Sequence, residues 1–243
     1  LQVNTMPKTR AVCLAVILCF AASTPATASG INLYWNDCSA GSGATTNRNF
    51  ACNTNDGVND LFVSYDPPPE ITSVAMIEMQ IDLQSATPTV PNWWRWDCRP
   101  STLAFLASAP SSCPDPWQGQ GIVLTEHDFA PDPGLPPDRA NFLGFAHVPE
   151  GTPVPPITPG TEYLAAVLRI SNVQTIGLGA CADCANQVCL GLNYVTLTSP
   201  TGATVRLSSP LSNNFVGWQG AAPGANGCSG ATPALNRTWG QIK

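Results

Sequence analysis

Apolar and polar residues alternate most cleanly over positions 74–83. Ile77, Met79, Ile81 and Leu83 fall on one side, and Glu78, Gln80 and Asp82 on the other. That two-residue period is the signature of a half-buried strand. Similar short runs predict strands at 61–65, 103–107, 121–125, 142–148, 163–173, 188–198, 204–208 and 215–218. Residues 163–170 are apolar at nearly every position, as in a central strand, and their β-branched content favours strand over helix there. The 24 prolines and 20 glycines are scattered along the chain, which excludes long helices. Short strands between turn-rich loops predict an all-β fold, an antiparallel β-sandwich with long proline-rich loops. The longest such stretch, 130–160, holds nine prolines and is read as loops around the strand at 142–148.

The first 28 residues carry a different pattern. Lys8 and Arg10 follow Met6, an apolar run covers 11–22, and Ala26-Thr27-Ala28 closes the segment. This is the layout of a secretory signal peptide with its small-residue cleavage site. The apolar run is about a dozen residues, short of the ~20 that span a bilayer as a helix. Residues 1–5 precede the expected initiator Met6. The mature chain is therefore expected to be 29–243, a single β-sandwich domain, extracellular, periplasmic or at the cell surface. Cys13 follows Val12 and Cys19 follows Leu18, so neither fits a lipid-anchor site.

Export makes the cysteines readable. The mature chain keeps Cys38, Cys52, Cys98, Cys113, Cys181, Cys184, Cys189 and Cys228. An even number after export predicts four disulfides. Proximity in sequence suggests Cys38 with Cys52 and Cys98 with Cys113, leaving the other four to pair among themselves. Zinc at Cys181-x-x-Cys184 is the competing reading, but oxidation disfavours free thiolates after export. No metal or other cofactor is expected.

Charge removes several function classes. The mature chain holds seven arginines and Lys243 against sixteen acidic residues. An acidic surface repels phosphates, which excludes nucleic acid as a partner. Without an interior lysine, Schiff-base chemistry is excluded as well.

Few motifs carry chemistry. Asn53, Asn55, Asp56, Asn59 and Asp60 surround Gly57, but the EF-hand order fails and these residues also make turns. Glu126-His127-Asp128 looks like an acid–base cluster, yet neighbours on a strand face opposite sides. The best binding candidates are Trp93, Trp94 and Trp96, in a segment that starts at Pro91 and ends at Cys98. Indole faces stack on sugar rings and anchor interfaces. In an extended segment Trp94 and Trp96 share one face and Trp93 takes the other, so at least one ring is expected to be open. The bland alternative is that these rings cover one end of the sandwich.

Four segments resemble those of a group of uncharacterised secreted bacterial β-sandwich-like proteins with paired cysteines. They begin at Ile31-Asn32-Leu33-Tyr34-Trp35, at Asn49-Phe50-Ala51-Cys52, at Cys181-Ala182-Asp183-Cys184, and at the C-terminal Trp239-Gly240-Gln241-Ile242-Lys243 element. Similar chains run a few residues past that last element. The resemblance implies a secreted, cysteine-stapled β protein and no particular activity. The expectation is a non-catalytic binding, adhesive or structural module, with a carbohydrate or a surface protein as partner and no stable membrane anchor. The alternative is a secreted polysaccharide hydrolase using two carboxylates, since such chemistry needs only their separation.

Overall fold

Each of the nine predicted strands forms, most with ends moved by a few residues. The computed structural model describes residues 29–129 and 135–221. The expected signal peptide, Cys228 and the C-terminal Trp-Gly-x-Ile-Lys element lie outside the described residues, as does part of the proline-rich stretch. The strands are β1 (Gly30–Trp35), β2 (Asn47–Arg48), β3 (Val58–Asp66), β4 (Met76–Ser85), β5 (Leu103–Leu106), β6 (Ile122–Phe129), β7 (Arg139–His147), β8 (Tyr163–Ser171), β9 (Val188–Thr198), β10 (Thr204–Leu207) and β11 (Phe215–Trp218). Two of these, β1 and the two-residue β2, were not predicted. A single 3-10 turn, Asn92–Trp94, sits between β4 and β5.

The strands form two sheets. The smaller has the order β1-β3-β8-β5, and the larger β2-β11-β9-β4-β7-β6, with β10 also paired to β9. Pairing is antiparallel throughout except between β11 and β2. Ile77, Met79, Ile81 and Leu83 of β4 are fully buried, as their alternation predicts, and face the other sheet's Leu33, Leu61, Val63, Leu168 and Ile170 in one core. Burying each such side chain stabilises by about 1.5–3 kcal/mol. Gly144 of β7 is required by this packing. A Cβ there would stand 3.0 Å from the Phe105 ring and 3.1 Å from Met79.

Strand β8 explains its own composition. Ala166, Leu168 and Ile170 face the main core, while Leu164 and Val167 join Phe62, Cys38 and Cys113 in a second cluster. That cluster lies on the outer face of the smaller sheet, so β8 is apolar on both sides.

The disulfides differ from expectation. Cys38 pairs with Cys113, Cys52 with Cys184, and Cys98 with Cys181, with Cα–Cα distances of 5.9, 5.7 and 6.0 Å. Cys189 on β9 is also disulfide-bonded. The expected Cys38–Cys52 and Cys98–Cys113 pairs do not form, and Cys181 and Cys184 do not pair within their own cluster. The reason is topological. A sandwich gathers loops from distant parts of the chain at each end, so spatial neighbours are separated by 75 to 132 residues. In the chain-entropy model such long loops give about 4–5 kcal/mol per bridge, more than the short loops proximity suggests.

Peptide mapping under non-reducing conditions should recover Cys38 linked to Cys113, Cys52 to Cys184, and Cys98 to Cys181. Replacing Cys98 and Cys181 together by serine should lower unfolding free energy by about 2–5 kcal/mol in urea titrations. Recovery of a Cys38–Cys52 peptide would contradict this arrangement.

Candidate functional site

The tryptophan segment is not extended. Pro91 accepts from Trp94 N at 2.9 Å and Asn92 O accepts from Arg95 N at 3.1 Å, winding 92–94 into a 3-10 turn. Successive side chains in such a turn are about 120° apart rather than 180°. Trp93 and Trp94 therefore both face inward, and both are fully buried. Trp96 is half-buried and packs against the same core. The expectation of sugar-stacking indoles on Trp93 and Trp94 is corrected: neither ring has a face open to a ligand.

These rings belong to an aromatic plug at one end of the sandwich. Trp93 lies 4.7 Å from Trp218 and 5.3 Å from Trp94, and Trp218 stacks on Phe50 at 4.3 Å. Trp35 meets Phe50 edge-on at 4.8 Å. Three of the indole N–H groups find acceptors: Trp35 on Gly217 O at 3.0 Å, Trp93 on Thr175 Oγ1 at 2.9 Å, and Trp218 on Cys184 O at 2.8 Å. Beside the plug sits Arg99, wholly buried, its guanidinium 3.8 Å from the centre of the Trp93 ring. It donates to Trp93 O at 2.8 Å, to Val173 O at 2.9 Å, and to Ser171 O. Burial pulls its pKa down to about 10, so it stays charged at neutral pH.

The polar cluster around Gly57 is spent on structure. Asn55 Oδ1 accepts from the backbone N–H groups of Thr175 and Ile176, both at 2.9 Å. Asn59 donates to Asn172 Oδ1 at 2.9 Å, and Asp60 takes a two-pronged bond from Arg169 at 2.8 and 2.7 Å. The Asn55 and Asn59 bonds hold the start of the β8–β9 loop, and the Asp60–Arg169 pair ties β3 to β8. Carboxylates elsewhere act likewise. Glu162 accepts from Asn32, from Ser39 and from Ser64, joining β1, β3 and β8. Asp37 accepts from Cys38 N at 2.8 Å and Ser112 N at 2.7 Å, bracing the Cys38–Cys113 bridge. Along β6, the backbone register sets Glu126, His127 and Asp128 opposite Leu143, Phe142 and Asn141 in turn.

Exposed apolar side chains fall in two groups among the described residues. One is Val58, Val173, Ile176 and Leu178, at the plugged end on and beside the loop closed by Cys98–Cys181. The other lies on the outer face of the larger sheet, at the opposite end of β4: Met76, 39 % exposed, Ile122, 48 %, and Leu124, 61 %. Ten residues of β4 at about 3.3 Å each set the two groups about 30 Å apart.

The second group is laid out in register. Leu124 of β6 stands opposite Phe145 of β7, which stands opposite Glu78 of β4, then Thr196 of β9, then Arg206 of β10. The row below reads Ile122, His147, Met76, Thr198, Thr204. The row above reads Glu126, Leu143, Gln80, Tyr194. The face thus grades from apolar at β6 and β7 to acidic on β4 and to cationic at β10. Its polar side is pre-set. Tyr194 donates to Glu78 Oε1 at 2.6 Å, and Arg206 lies 3.4 Å over the Tyr194 ring. Burial, with the Glu78 bond second, pushes the Tyr194 hydroxyl pKa upward, so it remains a donor. Asp82 accepts from Gln80 at 2.6 Å and from Asn193 at 3.2 Å, yet burial raises its pKa despite them.

Sequence reasoning missed this face. The signal was present in Ile122-Val123-Leu124, where three consecutive apolar residues cannot all turn inward from one strand. Only Val123 does so.

No family model matches the chain, and no curated protein matches it. Among solved structures it is similar to a cohesin module from a Clostridium perfringens family 33 glycoside hydrolase, at 11 % identity over 79 % of this chain and 98 % of that one, TM-score 0.36. It is also similar to the second type II cohesin module of the adaptor ScaA scaffoldin of Acetivibrio cellulolyticus, at 11 % identity over 78 % and 96 %, TM-score 0.38. The sixth cohesin of scaffoldin B from the same organism, solved with a Cel5 dockerin, gives 10 % identity over 78 % and 97 %, TM-score 0.33.

Two outcomes follow from the site geometry. Trp93→Ala should cost about 3–5 kcal/mol in chemical denaturation, as for a core aromatic; a loss below 1 kcal/mol would contradict the plug. Asp82→Asn should stabilise the protein at neutral pH. A raised folded pKa means the charged form opposes folding, so wild-type stability falls as pH rises from the ordinary carboxylate range through the folded value. The gain from Asp82→Asn should therefore shrink on acidification through that window. Asn193 can turn its amide to accept from the new one. Denaturation series across pH would read this, and a variant less stable at neutral pH would oppose it.

Proposed function

We propose that residues 29–243 act as one exported, non-catalytic protein-binding module whose partner docks on the outer face of the larger sheet. The observation that carries this reading is the registered row Leu124, Phe145, Glu78, Thr196, Arg206, with Met76 and Ile122 beside it. Contiguous exposed apolar groups rimmed by fixed polar ones mark interaction surfaces. The partner that fits is a protein surface with an apolar centre and a lysine or arginine set to meet Glu78 and Glu126. The bridges Cys38–Cys113, Cys52–Cys184 and Cys98–Cys181, each joining distant segments of the one chain, support an extracellular setting. No helix among the described residues is long and apolar enough to cross a membrane. The carboxylates of Glu162, Asp37 and Asp60 each accept bonds that tie separate parts of the frame together.

A photo-crosslinking amino acid at position 145 of the secreted protein should capture a protein from the producing cell's surface or medium. Phe145→Asp and Met76→Asp should then weaken binding of that purified partner at least tenfold by calorimetry, equivalent to about 1.4 kcal/mol or more, with folding intact. Unchanged affinity in both variants would sink the assignment of this face. Release of reducing ends from polysaccharide by the purified protein would favour the hydrolase instead.

A further inference from the structure

Farther along β4, the outer face of the larger sheet carries a polar nest centred on Asp82. Gln80 Nε2 donates to Asp82 Oδ1 at 2.6 Å, and Asn193 Nδ2 to Asp82 Oδ2 at 3.2 Å. Asn141 stands opposite Asp82 on β7 and, with its amide nitrogen turned inward, donates to Oδ1 at 3.1 Å. All four side chains are half-buried, so each still meets solvent. Asn193 is in place because β9 carries a bulge. Gln80 pairs with Tyr194 and Ile81 with Leu192, which leaves Asn193 as the extra residue between them. Bulges re-aim side chains and gather beside functional sites. On its β9 side Asp82 faces Gly191, and the half-buried Phe215 ring of β11 lies over that glycine, where a Cβ would stand 2.9 Å from it. The nest thus has an aromatic flank. Its carboxylate does not serve stability. Burial raises the Asp82 pKa although the Gln80 bond and the charge of Arg139 oppose the rise, so the ionised form works against folding. Asparagine would fill the same space without that cost. A charge kept at the expense of the fold points to function.

We infer that this nest binds a neutral saccharide, whose hydroxyls bond to Asp82, Asn141 and Asn193 while one ring face rests on Phe215. The chemistry of the groups selects that class. A sugar hydroxyl both donates and accepts, and a carboxylate has lone pairs for two adjacent ones. The amides supply a donor and an acceptor to the same hydroxyls. Arg139, opposite Gln84 and on the same face of β7 as Asn141, attracts the Asp82 charge. A carboxylate with a guanidinium near it exerts little net pull on a free cation or anion, which favours an uncharged ligand. The apolar C–H face of a pyranose suits an aromatic ring. Asp82 lies six residues along β4 from Met76, about 20 Å at about 3.3 Å per residue. The inference therefore goes beyond the protein-docking reading and does not depend on it.

Titration calorimetry of the secreted protein with cellohexaose, xylohexaose, mannohexaose and laminarihexaose tests this. At least one of these neutral oligosaccharides should bind saturably. Asp82→Asn should weaken that binding at least tenfold while making the protein more resistant to denaturant, an opposition that a purely structural aspartate would not show. Asn193→Ala should weaken it at least threefold with circular dichroism unchanged. Phe145→Asp and Met76→Asp should leave it within threefold of wild type, so failure of the protein-docking face and failure of the saccharide site are read separately. Absence of binding by all four sugars at millimolar concentration overturns the inference. So does an Asp82→Asn variant that binds as wild type does. Trilysine that binds in an Asp82-dependent way where the sugars do not would make the nest a cation site and overturn it as well.

Discussion

The guanidinium of Arg99 is a fully buried cation, and the plugged end of the sandwich is built around satisfying it. Burying a charge without partners costs far more than a folded protein's net stability allows. Here three main-chain carbonyls and one indole face receive it, from Trp93, Ser171 and Val173. Those carbonyls belong to the 3-10 segment and to the C-terminal end of β8 with its following loop. One side chain thus binds the connection after β4 to the connection after β8. The Cys98–Cys181 bridge repeats that link covalently.

Rigidity at that end has a consequence for the other. The plugged end is where indoles, cystines and the Asn55 and Asn59 bonds converge, and its large aromatic rings are used up in packing. The outer face near Met76 and Leu124 carries few such constraints. Its side chains stand on strands whose backbone register is fixed by β4, the strand that pairs with both β7 and β9 over nearly its whole length. A surface of this kind is precise in position without being committed to the fold's own stability. That division suits a module whose contacts are made with another molecule.

Carboxylates show the same economy. Glu162, Asp37 and Asp60 each join elements far apart in the chain, as structural ligands of hydroxyls, amides and one guanidinium. Glu78 and Glu126 remain on the outer face of the larger sheet.

Strands such as β4 and β7 were legible from alternation alone, because a half-buried strand must place its apolar residues every second position. The continuous apolar run of β8 was legible for the same reason, read as burial on both faces. What only the tertiary structure decided were the relations between distant segments. Cysteine partners depend on which loops meet at which end, and no spacing records that. Trp93 and Trp94 point inward because Pro91 and the Ala182 carbonyl wind the backbone into a turn, which a period of two could not foresee. The exposed row across β6, β7, β4, β9 and β10 is made from single residues of five strands. Each is unremarkable in its own segment, and the row exists only because hydrogen-bond register sets them side by side.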